Sequence, residues 1–206
     1  NLNNHIGVPL TLLAIDPSFE MAVVEMGANH PGEIAFLCSL ANPNFGLITN
    51  VGKAHLQGFG SFDGVKITKG ELYRHLKQTG GTVFINGGNP HLTGMLGEYG
   101  HVVTYGIDGS FFVCGESVVG ADDFLCLKWH TRDGEAFFIR TQLLGAYNLE
   151  NVLAAIAVGL YFNVPVDKIN AAIANYVPSN NRSQKMVTTH NTIFMDAYNA
   201  NPSSLA

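Results

Sequence analysis

Apolar positions along the chain fall into short blocks whose period switches between that of strands and that of helices. Residues 21–25 and 45–50 are brief apolar runs broken by a polar residue or a glycine, and residues 82–86 repeat the pattern. Such runs read as strands buried on both faces. Between them, Pro31 predicts the opening of a helix over 31–40, since proline is tolerated where the first N–H is unpaired anyway. Residues 62–78 carry a helical period closed by Gly80-Gly81. The order strand, helix, strand, helix, strand predicts an α/β fold, a mostly parallel sheet flanked by helices, with ligands outside the carboxyl ends of the strands.

From about residue 101 the texture becomes short and alternating, with runs at 124–131 and 136–143 around an Arg132-Asp133-Gly134-Glu135 turn. This predicts a small antiparallel β insert over about 101–143. Residues 148–162 and 166–176 read as two helices, and 192–196 as a last strand ending in an acid. The longest apolar run, 152–162, is too short to span a membrane.

Composition narrows the partners. Apolar residues make up 47% of the 206 and charged residues only 13%, so disorder is excluded. A net charge of -5 offers no basic stripe for nucleic acid. The 3 cysteines, Cys38, Cys114 and Cys126, lack disulfide-framework or metal spacing and fit a cytoplasmic protein. The chain opens at Asn1 without methionine or leader, which leads us to expect a segment of a longer protein.

Glu25, His55 and Lys69 fall at or beyond strand ends or on the next helix, so a parallel sheet can gather them at one rim. A carboxylate and an imidazole there suit a hard divalent cation beside a phosphate. The alternative is an acid capping a loop and a histidine bonded to backbone carbonyls. Asn148 and Asn151 open a helix and either cap it or read a base edge. Arg182 lies in a polar loop, suited to a phosphate or simply solvated, and Asp196 is placed for a ribose hydroxyl or a turn. No GxxxxGK[ST] occurs, so this chain does not carry a P-loop of its own.

Five stretches, in order, resemble the Mur ligase family. They are Asn1-Leu2-Asn3-Asn4-His5-Ile6-Gly7-Val8-Pro9-Leu10-Thr11, Glu25-Met26-Gly27-Ala28-Asn29-His30-Pro31-Gly32-Glu33-Ile34, Ala54-His55-Leu56 with Gly58-Phe59-Gly60, Lys69-Gly70-Glu71, and Asp196-Ala197-Tyr198-Asn199-Ala200-Asn201-Pro202. The resemblance implies the family's central ATP-binding domain over residues 1–195, with the P-loop lying upstream, and the start of the carboxy-terminal domain over 196–206. It implies a cytoplasmic ligase of peptidoglycan synthesis that uses ATP and Mg2+ to join D-Ala-D-Ala to UDP-MurNAc-tripeptide through an acyl phosphate. In some bacteria such a ligase is fused to an alanine racemase, a partner domain the resemblance leaves open.

Matched position by position, Glu25 and His55 resemble the magnesium ligands, and Lys69 resembles the lysine that carbon dioxide carbamylates, with Lys66 as the competing candidate. Asn148 and Asn151 match the adenine-side asparagines, Arg182 the phosphate-contacting arginine and Asp196 the ribose-binding aspartate. Asn3 and Asn4 match the loop beside the acyl phosphate, either of them being the acting residue. Tyr147, Gly88 and Asn181 depart from the family's frequent histidine, aspartate and glycine. The competing readings are a sister ligase with another amino-acid substrate, an inactive nucleotide-binding scaffold and a metallohydrolase using His55.

Overall fold

The computed structural model describes residues 2–52, 56–120, 122–178 and 184–195. In chain order the elements are α1 (Gly7–Leu13), α2 (Glu33–Ala41), β1 (Phe45–Leu47), α3 (Leu56–Phe59), α4 (Phe62–Thr79), β2 (Thr82–Asn86), α5 (Pro90–Leu96) and β3 (Val102–Gly106). They continue with β4 (Val113–Val118), β5 (Phe124–Thr131), β6 (Phe137–Leu144), α6 (Leu149–Tyr161), α7 (Val166–Asn175), β7 (Gln184–Val187) and β8 (Thr192–Met195). Strands β1 to β6 form one sheet in that order, and β7 pairs antiparallel with β8. By compactness the chain divides into one unit of residues 1–83 and 90–102 and another of 84–89 and 103–206.

In the first unit α2 packs on α4. Ser61 accepts the Gly64 N–H at the start of α4, and Gly80 ends the helix at φ 74°. Gly80 is the stop expected from the sequence, and Ser61 supplies the cap at the other end. Val8, Leu37, Cys38, Val65, Tyr73 and Leu76 form its buried centre. Strand β2 pairs with β3 in parallel: Val83 donates to the His101 carbonyl and, in the second unit, Gly87 to that of Tyr105, so both partners advance together.

In the second unit β4, β5 and β6 form an antiparallel meander, while β3 pairs with β4 in parallel. The expected antiparallel insert therefore extends the sheet and makes it mixed. Helix α6 packs on β4 and β5, and α7 on β6. Trp129 is fully buried and donates its indole N–H to Asn170 Oδ1 at 3.0 Å.

One expected element does not form. Residues 21–28 have no regular secondary structure, and Val23 is 90% exposed. A strand is stabilised by its ladder, and among the described residues no strand pairs with this segment. Helix α1, whose apolar face is short, was not signalled by any cap residue directly before Gly7.

Candidate functional site

The Asn3-Asn4 pair has two different tasks. Asn4 Oδ1 accepts the N–H groups of Ile6 at 3.1 Å and Gly7 at 2.9 Å, capping the entry to α1. Gly7 is required there, because a Cβ would lie 2.2 Å from the Leu2 backbone. Asn3 faces the other way. Its Nδ2 donates to Glu25 Oε1 at 2.9 Å, and its carbonyl accepts the Gly27 N–H at 2.7 Å. An extended segment without a sheet partner is thereby held with its carboxylate in a defined place.

The loop beyond Glu25 is pinned as well. Glu33 Oε2 accepts the N–H groups of Asn29 at 2.6 Å and His30 at 3.0 Å, which hold its carboxyl below the usual range. The buried Glu71 carboxylate accepts the Gly32 and Ala35 N–H groups, each at 2.8 Å, and so caps α2 from α4. Cys38, also buried, has its thiol pushed up to about 11 by burial, with the Glu71 charge adding to the shift.

The two candidate lysines of α4 differ. Lys66 is 2.5 Å from Asp63 and lies over the Phe62 ring at 5.2 Å. Lys69 is half-buried and donates to the Asn50 carbonyl at 2.6 Å, in the segment that follows β1. Burial lowers its pKa and so favours the neutral amine that attack on carbon dioxide requires. Lys69 thus stands mid-way along α4, and its Nζ reaches the segment three residues beyond the carboxyl end of β1.

Among the described residues, no three His, Cys, Asp or Glu side chains form a group able to hold a metal. A site here would need few protein ligands. Glu25 offers a carboxylate oriented by an amide, a hard oxygen donor that fits Mg2+, an ion that keeps several waters and leans on substrate phosphates. His55 lies outside the described residues.

In the second unit, Gly145 at φ 82° turns the chain from β6 into a short 3-10 turn, Ala146–Asn148, before α6. Asn148 Nδ2 donates to the Leu144 carbonyl at 2.8 Å, and Asn151 Nδ2 to Asn148 Oδ1 at 3.2 Å. The two asparagines are thus bonded to each other, and the Asn148 side chain does not cap α6. Tyr147 is 64% exposed and its ring lies over Gly145, where an added Cβ would be 2.6 Å from it. Arg182 and Asp196 lie outside the described residues. Asn50 was not singled out from the sequence, and Glu71 was read only as part of the Lys69-Gly70-Glu71 stretch, without a role; the signal for one was an acid on the buried face of α4.

Comparison with known proteins gives the family. Residues 1–159 match the Mur ligase middle domain. The UDP-N-acetylmuramoyl-tripeptide–D-alanyl-D-alanine ligase of Escherichia coli is 36% identical, over 100% of this chain and 46% of the relative. Among solved structures, MurF from Acinetobacter baumannii superposes with a TM-score of 0.88 at 28% identity, over 100% of this chain and 45% of that one. MurF from Thermotoga maritima in complex with ADP superposes with a TM-score of 0.86 at 25% identity, over 99% and 47%. The chain thus spans a little under half the length of these relatives. The match over residues 1–159, with 36% identity to the Escherichia coli ligase across the whole chain, places the chain in the Mur ligase family, as its middle domain.

Proposed function

We propose that the chain is the ATP-binding middle part of a cytoplasmic ligase that joins D-Ala-D-Ala to UDP-MurNAc-tripeptide. The observation that carries this reading is the whole-chain similarity to relatives bearing that ligase's name. The neighbour holding ADP supports the nucleotide. In the reaction, a carboxylate oxygen of the tripeptide attacks the γ-phosphorus of ATP and the bond to ADP breaks, giving an acyl phosphate. The amine of D-Ala-D-Ala then attacks the acyl carbon. The resulting tetrahedral centre expels phosphate, the amine loses its proton, and the amide remains.

Bound Mg2+ supplies neutralisation of charge on the phosphates, with Glu25 and His55 as its protein ligands and carbamylated Lys69 orienting a second ion. Asn3 keeps the Glu25 oxygen turned toward that task. Asn4 serves the loop from beneath, by fixing the start of α1. Asn148 and Asn151 present amides to the adenine edge, and the exposed Tyr147 ring offers a face for stacking. Arg182 contacts phosphate and Asp196 the ribose.

The test is mass spectrometry of the products formed by the full-length protein from ATP, Mg2+, UDP-MurNAc-tripeptide and D-Ala-D-Ala. We expect the condensation product of the two peptides, one water lighter than their sum. No product from this mixture, with a product formed when a single amino acid and a shorter UDP-MurNAc acceptor are supplied instead, would assign the chain to a sister ligase.

A further inference from the structure

Glu71 is a carboxylate in the middle of a helix, buried to 6% exposure and without a cationic side chain among its hydrogen-bond partners. Burying a carboxylate is costly unless its lone pairs are taken up by donors. Here both oxygens are used: Oε1 accepts the Gly32 N–H and Oε2 the Ala35 N–H. These belong to the cap and first turn of α2, whose unpaired N–H groups favour negative charge. The start of α2 is thus filled by this chain's own carboxylate, and is not free for a phosphate.

The position of Glu71 gives the clamp a further consequence. It stands two residues beyond Lys69 on α4, about 200° around the helix axis, so the two side chains leave opposite sides. One side carries Lys69 to the Asn50 carbonyl, and the other binds α2. Helix α2 in turn ends the loop that begins at Glu25. That loop is held at its start by Asn3, which bonds both Glu25 and Gly27. It is held in its middle by Glu33 on Asn29 and His30, and at its end by Glu71 on Gly32. Met26 Sδ also lies 3.9 Å from Cys38 Sγ on the same helix. No stretch between Glu25 and α2 longer than two residues is without an anchor.

We infer that Glu71 is a positioning residue for the metal site: by clamping α2 to α4, it makes the loop bearing Glu25 and the helix bearing Lys69 move as one body. This rests on the proposed function, in which Glu25 serves the first ion of the metal site and Lys69 the second. Glu71 touches neither substrate nor metal and acts only through the loop.

The experiment uses the full-length protein and reads metal affinity directly. Free Mn2+ is titrated in the presence of ADP and followed by its electron paramagnetic resonance signal, at a temperature where every variant is folded. Three variants are compared: Glu71→Gln, which retains one acceptor but sets an NH2 against the second N–H, Gly32→Ala, which strains the clamped residue at φ 88°, and Val65→Ala, a core truncation on α4 matched for loss of Tm. The expected result is that Glu71→Gln and Gly32→Ala both weaken Mn2+ by about tenfold, as loss of outer support for a ligand does, while Val65→Ala binds like the wild type. Equal affinities for Glu71→Gln and wild type, or equal losses in all three variants, would overturn the inference and leave Glu71 a stability residue. Absence of ADP-dependent Mn2+ binding by the wild type would instead refute the functional reading, and the inference with it.

Discussion

Two adjacent asparagines, Asn3 and Asn4, provide a test in which structure and function separate at neighbouring positions. Asn4→Ala removes an oxygen that accepts two N–H groups at the entry of α1. Losing a cap of this kind costs about 1 kcal/mol, which for a chain of this size lowers Tm by about 2–4 °C. Asn3→Ala removes only the amide that holds Glu25, since the bond from the Gly27 N–H goes to the backbone carbonyl and survives. At a site this open the stability change should stay within about 0.5 kcal/mol. The metal dependence should move instead, with the half-saturating Mg2+ concentration of the ligase reaction rising by at least about tenfold. Gly27→Ala supplies an independent check, because its Cβ would come within 2.8 Å of the Asn3 amide nitrogen and push it aside. It should reproduce the Asn3→Ala phenotype with the amide still present. The assays are differential scanning fluorimetry and initial rates across a Mg2+ series. A large Tm loss in Asn3→Ala with unchanged Mg2+ dependence, or the metal phenotype in Asn4→Ala, would refute the division of labour.

Lys69→Ala should lose nearly all turnover and regain part of it with short-chain carboxylic acids, which replace the carbamate oxygens. In the wild type, reactivation of carbon-dioxide-depleted protein by bicarbonate should quicken as pH rises and more of the amine is neutral; its folded pKa is lowered, so this begins below the ordinary lysine value of 10.5. No rescue, or no initial loss, would remove the carbamate. Cys38 should resist alkylation in the native state and react on unfolding. Since its folded pKa is raised, its ionisation should lower stability as pH climbs from the ordinary 9.0 toward about 11, measurable by urea unfolding across that interval. Trp129→Ala should destabilise the second unit by about 3–5 kcal/mol, read by chemical denaturation, whereas Trp129→Phe should cost nearer the worth of the single bond to Asn170, about 1 kcal/mol.

The fold was legible wherever a segment carries its own boundary marks. Helix α4 is closed by Gly80, β2 has a polar end at Asn86, and β5 and β6 flank a turn rich in polar residues and glycine. Residues 21–25 carry equally good strand chemistry but form none among the described residues, because pairing depends on a neighbour that composition does not reveal. At the site, the order of elements singled out Asn148 and Asn151 at the start of α6, whereas Glu25 was singled out as the end of a strand that does not form and Lys69 stands in the middle of α4. What it left open was which lysine and which asparagine. The structure separates the candidates by their partners: Lys66 pairs with Asp63 three residues away, whereas Lys69 reaches Asn50 and Asn3 reaches Glu25, 19 and 22 residues away in the chain. Glu71 was read only as part of the Lys69-Gly70-Glu71 stretch, and its capping of α2 went unread because the two N–H groups it accepts lie 39 and 36 residues earlier.

The central claim is ligase chemistry that couples ATP to two particular peptides. It is tested most directly by phosphate release from the full-length protein supplied with ATP, Mg2+, UDP-MurNAc-tripeptide and D-Ala-D-Ala, omitting each in turn. The account predicts sustained release only when all four are present, with one phosphate for each amide formed. Equal release without D-Ala-D-Ala, or none with all four present in a folded protein that binds ATP, would contradict it.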